Sequence, residues 1–148
     1  MIIKRFLTFL SIILSIYSCD PADDRLQIIN DSDSDIYFFY DCNNNLDNLN
    51  ITRNKVYPSL NSGDSLHLIS SSFIKKNSSR HIPKRLGNDA WIYYVKNCPN
   101  REISIYFFLD STINYYSDNQ IRNQKLYIKH VSMSLEELNK NNWTIKYP

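Results

Sequence analysis

The sequence predicts a mainly β fold: one domain, either β-sandwich-like or an α+β antiparallel sheet, with one or two short helices. Three observations carry this expectation. The runs Ile36–Tyr40 and Ile103–Leu109 are built from β-branched and aromatic residues, which fit a pleated, half-buried surface. Clusters of Asn, Asp and Ser punctuate the chain, and these residues stabilise turns by bonding their own backbone. At the C-terminus Trp143, Ile145 and Tyr147 alternate with Thr144 and Lys146, the period of a strand with one face buried.

Taken in order, residues 19–25 read as a short acidic tether containing Pro21, whose deletion over Asp20–Asp24 should cost almost nothing. The domain then occupies 26–148. Leu26–Ile29 begins the first strand, 30–34 (Asn-Asp-Ser-Asp-Ser) is a turn, and Ile36–Tyr40 completes an expected hairpin. Residues 43–54 form a polar loop, and Asn61-Ser62-Gly63-Asp64 turns into a strand over Ser65–Ile69. A second long loop, 70–87, carries Lys75, Lys76, Arg80, Lys84 and Arg85 with no acid among them. In the segment 90–95, Trp91, Tyr94 and Val95 fall at i, i+3 and i+4, so a helix capped by Asn88 is preferred to a strand. Glu102–Leu109 is the clearest strand, Ser117–Arg122 a helical turn, and Leu126–Val131 another strand. Ser134-Leu135-Glu136-Glu137 is a capping box opening a two-turn helix. The final strand, 142–148, should dock on the main sheet with Trp143 buried.

The two central strands share a pattern. Ile36, Phe38 and Tyr40 lie on one face and Tyr37 and Phe39 on the other. Likewise Ile103, Ile105, Phe107 and Leu109 oppose Tyr106 and Phe108. Two readings of Tyr37, Phe39, Tyr106 and Phe108 stand at this point. A helix or long loop could cover them, or they could form an exposed binding platform that stacks on a sugar ring or a partner chain.

The N-terminus points to export. Lys4 and Arg5 precede an apolar run from Phe6 to Tyr17 that ends at Ser18-Cys19. A charged start, an apolar stretch and a small residue before the cut make a secretory signal peptide over 1–18. The run is shorter than the ~20 residues that span a bilayer. Cysteine directly after the cut is the position that bacteria lipidate, so Cys19 is the expected attachment site for palmitate-type acyl chains. Removing 1–18 removes Lys4 and Arg5 and no acid, so the 17 basic and 15 acidic residues of the whole chain become 15 and 15. A neutral mature chain gives no general attraction to nucleic acid. With Cys19 acylated, Cys42 and Cys98 remain as an expected disulfide in an oxidising compartment. Closing a loop of about 56 residues is worth on the order of 4 kcal/mol in the chain-entropy model.

Ile-Asn-Asp-Ser at 29–32, Asp35-Ile36-Tyr37, Ile105-Tyr106-Phe107-Phe108, Ser134-Leu135-Glu136-Glu137-Leu138 and the ending Asn142-Trp143-Thr144-Ile145-Lys146-Tyr147-Pro148 together resemble small lipoproteins of Bacteroidota-type bacteria. The resemblance spans most of the mature chain, and its terminal motif is the most specific part. Tyr17 departs from the strict lipoprotein signal pattern, although bulky residues are common there in this group. The resemblance implies an exported lipoprotein of mixed β structure and supplies no reaction or functional residues.

Chemistry is sparse. Asp31, Asp33 and Asp35 alternate as in a calcium loop, but Ile36 stands where the turn needs Gly and Cys42 where a bidentate Glu belongs. His67, His81 and His130 lack zinc spacing, and His130 is expected in the core or at its rim. With 2 glycines in the chain, neither a nucleophile elbow nor a phosphate-binding loop is present. The basic loop is a solvated segment by default, with anionic headgroups or acidic glycans as the sharper alternative. No metal, cofactor or catalytic activity is expected. The expected protein is lipid-anchored in the bacterial cell envelope, at the outer membrane, and its partner is the membrane together with an envelope protein or a glycan. A non-catalytic interaction or structural accessory role comes first, and a glycan- or ligand-binding surface using the aromatic face is the alternative.

Overall fold

The computed structural model describes residues 21–47, 49 and 72–148. Cys19, the signal segment and the strand expected over Ser65–Ile69 lie outside the described residues. The described elements are β1 (Gln27–Asn30), β2 (Ile36–Asp41), β3 (Phe73–Ile74), β4 (Ser78–His81), α1 (Ala90–Lys96), β5 (Glu102–Leu109), α2 (Asp110–Tyr115), α3 (Asp118–Gln124), β6 (Lys129–Ser134), α4 (Leu135–Lys140) and β7 (Thr144–Tyr147). The chain is mainly β, as expected, with two sheets and short helices in one domain.

One sheet is antiparallel with strand order β3-β2-β5-β6. The other runs β4-β1-β7, with β1 antiparallel to β4 and parallel to β7. The largest hydrophobic cluster draws Leu26, Ile28 and Ile145 from the smaller sheet and Ile36, Phe38, Ile103, Ile105 and Phe107 from the larger one. It therefore lies between the sheets, closed by Trp91 and Val95 of α1 and Leu138 of α4.

The expected hairpin of the first two strands does not form, since β1 and β2 belong to different sheets. Asn30 explains the crossover. Its fully buried side-chain amide donates to the carbonyls of Ser34 (2.8 Å) and Lys75 (3.0 Å), and its oxygen accepts from the Ser32 hydroxyl (2.7 Å). The segment after β1 is thus anchored to a distant strand pair rather than folded into a two-strand turn.

Three other expectations shift. The basic segment 70–87 contains β3 and β4 rather than being all loop. The α1 N-cap is Asp89, not Asn88, and it makes no side-chain cap. The expected tether is shorter than 19–25: Asp23 is buried and exchanges two 2.8 Å backbone bonds with Lys84. By contrast, β5 spans the expected residues, and Ser134 and Glu137 form both bonds of the expected capping box. The C-terminal strand forms but joins the smaller sheet, pairing with β1, while Tyr147 stacks on Phe107 of the larger sheet at 5.3 Å between ring centroids.

Candidate functional site

The second face of the larger sheet decides what the candidate platform is. Phe108 is fully buried and Tyr106 is 3% exposed. Both belong to a second core with Leu46, Leu49, Ile113 and Ile121, against which Tyr37 and Phe39 pack half-buried. Leu46, Leu49, α2 and α3 supply that cover. The four aromatics are brought together, as the alternation required, but not as an open platform. Burying them removes far more apolar surface from water than leaving them exposed for a ligand.

At the edge of this cover a polar cleft of about 380 Å³ opens. Its walls are the amides of Asn44, Asn45, Asn119 and Asn123 with Arg122 and Asp47, and its floor is aromatic. Helix α3 sets one wall because Ser117 and Gln120 form a capping box and Lys125 ends the helix with a left-handed φ of 50°. From that helix Arg122 donates to the Asp47 carbonyl at 2.9 Å and to the side chain of Asn119. Across the cleft the Asn45 amide donates to the Asp47 carboxylate at 2.7 Å, and the Tyr106 hydroxyl donates to Asn44 at 3.4 Å.

The floor is a stacked pair. Tyr106 and His130 lie with centroids 4.3 Å apart and planes 12° from parallel, and Tyr127 meets Tyr106 edge-on at 5.3 Å. His130 sits 3.4 Å from the Ser132 hydroxyl, which is 3.1 Å from that of Ser104. Burial pushes the His130 pKa down. Burial, with the neighbouring Tyr127, pushes the Tyr106 hydroxyl up. Each shift favours the neutral ring. Tyr106 is nearly covered, so the aromatic surface at the floor comes from half-buried Tyr127 and His130, ringed by amide donors and acceptors. With Asp47, Arg122 and Lys125 at the rim, the lining offers many hydrogen bonds to a polar, hydroxyl-rich ligand.

Of these residues the sequence pattern points to Tyr106, and it places His130 at the core or its rim. Asn44, Asn45, Asn119, Arg122 and Tyr127 come from three separate segments, and no local motif announces them.

Several of the other sequence candidates take structural roles. Of the basic residues of 75–85, Arg80 and Lys84 are held within the fold, whereas Lys75, Lys76 and Arg85 are exposed. Arg80 donates to the Phe73 carbonyl at 3.1 Å, and the Lys84 ammonium lies among three rings, 3.4 Å from Tyr94, 4.8 Å from Trp91 and 5.0 Å from Tyr40. Burial, followed by the Asp41 and Tyr40 charges, pushes the Tyr94 hydroxyl up to about 12. Of the alternating acids, Asp35 serves the crossover, accepting from the Lys76 N–H at 2.8 Å. Among the described residues no group of three His, Cys, Asp or Glu is placed to hold a metal. Cys42 and Cys98 stand at disulfide distance, with sulfurs 2.05 Å and Cα atoms 4.7 Å apart. No described helix is long and apolar enough to cross a membrane.

The chain matches no family model, no curated protein and no solved structure.

Proposed function

We propose that this chain is a lipid-anchored protein of the bacterial cell envelope, at the outer membrane, that acts through contact rather than catalysis. The observation that carries the reading is the use of the sheet's second face. Tyr37, Phe39, Tyr106 and Phe108 build a second core under α2, α3, Leu46 and Leu49, so the most ligand-like residues of the sequence serve stability. The cysteine pair at disulfide distance supports an oxidising, exported setting. Two side chains at the polar cleft are held in place by their neighbours: His130 is stacked on Tyr106, and Asp47 accepts from Asn45.

A second reading, binding of a glycan, is favoured by one specific observation: the amide-walled cleft with its neutral aromatic floor. Planar amides and a flat ring surface are the groups that recognise sugar hydroxyls and C–H faces. A photo-crosslinker placed at exposed Asn123 in the protein's own membranes separates the two. One reproducible envelope-protein adduct supports the accessory role, and a carbohydrate adduct supports the cleft as a glycan site. Absence of either adduct would overturn both uses of that surface.

A further inference from the structure

The way the chain enters the domain sets how close the domain stands to a membrane. The Pro21 carbonyl accepts from the Gly87 N–H at 3.1 Å, and two residues later Asp23 is locked to Lys84. From Pro21 onward the chain is therefore part of the fold, joined to the loop that follows β4. One residue, Asp20, separates Pro21 from Cys19. An extended chain advances at most about 3.6 Å per residue, so the Cys19 Cα lies within ~7 Å of Pro21. The headgroup zone on each side of a bilayer is about 5–8 Å deep. A diacylglycerol on Cys19 would hold Pro21 and its neighbouring loop inside or against that zone.

That loop presents an unusual side chain. Leu86 is 83% exposed and has a φ of 92°, followed by Gly87 at 98°. A bulky residue in left-handed backbone is uncommon, and the strain is retained only where the surroundings impose it. Here the Gly87–Pro21 bond and the Lys84–Asp23 ladder impose it on either side. Arg85, beside Leu86, is exposed. An apolar side chain held open next to a guanidinium, at the root of the anchor, matches the acyl boundary and the phosphates above it.

We propose that residues 84–88 form a membrane-contact loop, with Leu86 reaching the acyl boundary and Arg85 the headgroup phosphates. The domain then stands against the bilayer instead of swinging on a leash. This rests on the lipidation of Cys19 stated above. The mature chain is neutral, so attraction by net charge does not hold it there; the short anchor and Leu86 do.

The test uses the lipoprotein purified from its own membranes and returned to phosphatidylethanolamine–phosphatidylglycerol vesicles. Leu86→Cys and Tyr115→Cys each receive an environment-sensitive fluorophore. Tyr115 is 84% exposed at the end of α2, beside the second core. The fluorophore at 86 should be blue-shifted, severalfold brighter and quenched by a nitroxide on the lipid acyl chains, with none of these at 115. A response at 86 equal to that at 115 overturns the contact loop while leaving the anchor intact. Fluorophore found on Cys19 of the wild type would mean that the thiol is not acylated, and both readings fall.

Discussion

The Asp23 carboxylate accepts a 2.9 Å hydrogen bond from the backbone N–H of Trp91, 68 residues away and buried. Trp91 is the second residue of α1, where an unpaired N–H ordinarily awaits a capping side chain. The residue at the N-cap, Asp89, makes no side-chain cap of its own. The cap is supplied instead by the chain's entry segment. The other Asp23 oxygen pairs with Arg25 at 2.7 Å, Arg25 reaches Asp89 at 2.9 Å, and its guanidinium lies 5.2 Å over the Trp143 ring. Entry segment, first helix and last strand are thereby tied at one point.

Asp23→Ala should destabilise the domain by about 1–3 kcal/mol, because it leaves a buried N–H unpaired and removes a partner of Arg25. Asp24→Ala, at an exposed neighbour, should change stability by less than about 0.5 kcal/mol. Urea denaturation of both variants checks this. Equal midpoints would mean that the cap carries no weight and that the near-neutral deletion expected from the sequence was right.

Metabolic labelling with a fatty-acid probe should mark the wild-type chain and not Cys19→Ala. The expectation follows from the apolar run that ends at Ser18-Cys19. Equal labelling of the two would place the lipid elsewhere or nowhere.

Cys42 and Cys98 should be bridged in the protein isolated from its own cells. Their sequence separation of 56 residues encloses β3, β4 and α1, so reduction should lower stability by on the order of 4 kcal/mol. Intact mass under non-reducing conditions should be two hydrogens below the reduced mass. Two thiols that alkylate freely in the untreated protein would refute the bridge.

The parts of the fold legible in the sequence are those whose reasons are local. The β5 run alternates between two apolar faces, and the α4 capping box lies within four residues, so both are visible in any short window. The missed parts depend on distant partners. Strand β4, Ser78–His81, is half-exposed and wholly polar, and it is a strand only because β1 lies beside it. Asn30 looks like an ordinary turn residue until its amide is seen bonded to the carbonyl of Lys75, 45 residues on. Leu126 and Tyr127 read in sequence as the opening of a strand, yet they pack on the second core, and β6 begins at Lys129. The cleft is the extreme case, since its amides and its stacked floor are assembled by residues 44–47, α3, β5 and β6 with no shared motif.

Stability should fall on mild acidification because of His130. Its folded pKa lies below the ordinary 6.5, owing to burial. The unfolded state therefore binds the proton more readily, and stability rises with pH across that range and is lost below it. His130→Gln should flatten the dependence between about pH 7 and pH 5. Holding the range above pH 5 keeps Glu137 out of the comparison, because its Ser134 hydrogen bonds lower its pKa from 4.5. Parallel pH profiles for wild type and variant would show that the ring does not titrate with folding.

Trp143 should be the most costly single truncation near the C-terminus. It is 7% exposed, its indole N–H donates to Asn139 at 2.8 Å, and its carbonyl accepts from the Gln27 N–H at 2.9 Å. Asn142 and Trp143 both hold positive φ, 51° and 57°, so the chain turns sharply out of α4 before β7 begins. The ring seated in the core between the sheets is what holds that turn, since a tryptophan in left-handed backbone would otherwise relax. Trp143→Ala should cost about 3–5 kcal/mol against total stabilities of about 5–15 kcal/mol. Deleting 142–148 also strips β1 of its parallel partner, leaving that sheet with β4 and β1 alone, and should abolish cooperative unfolding. Thermal melts followed by near-ultraviolet circular dichroism read both variants. An unchanged midpoint for the truncation would make the segment a surface tag and refute its place in the sheet.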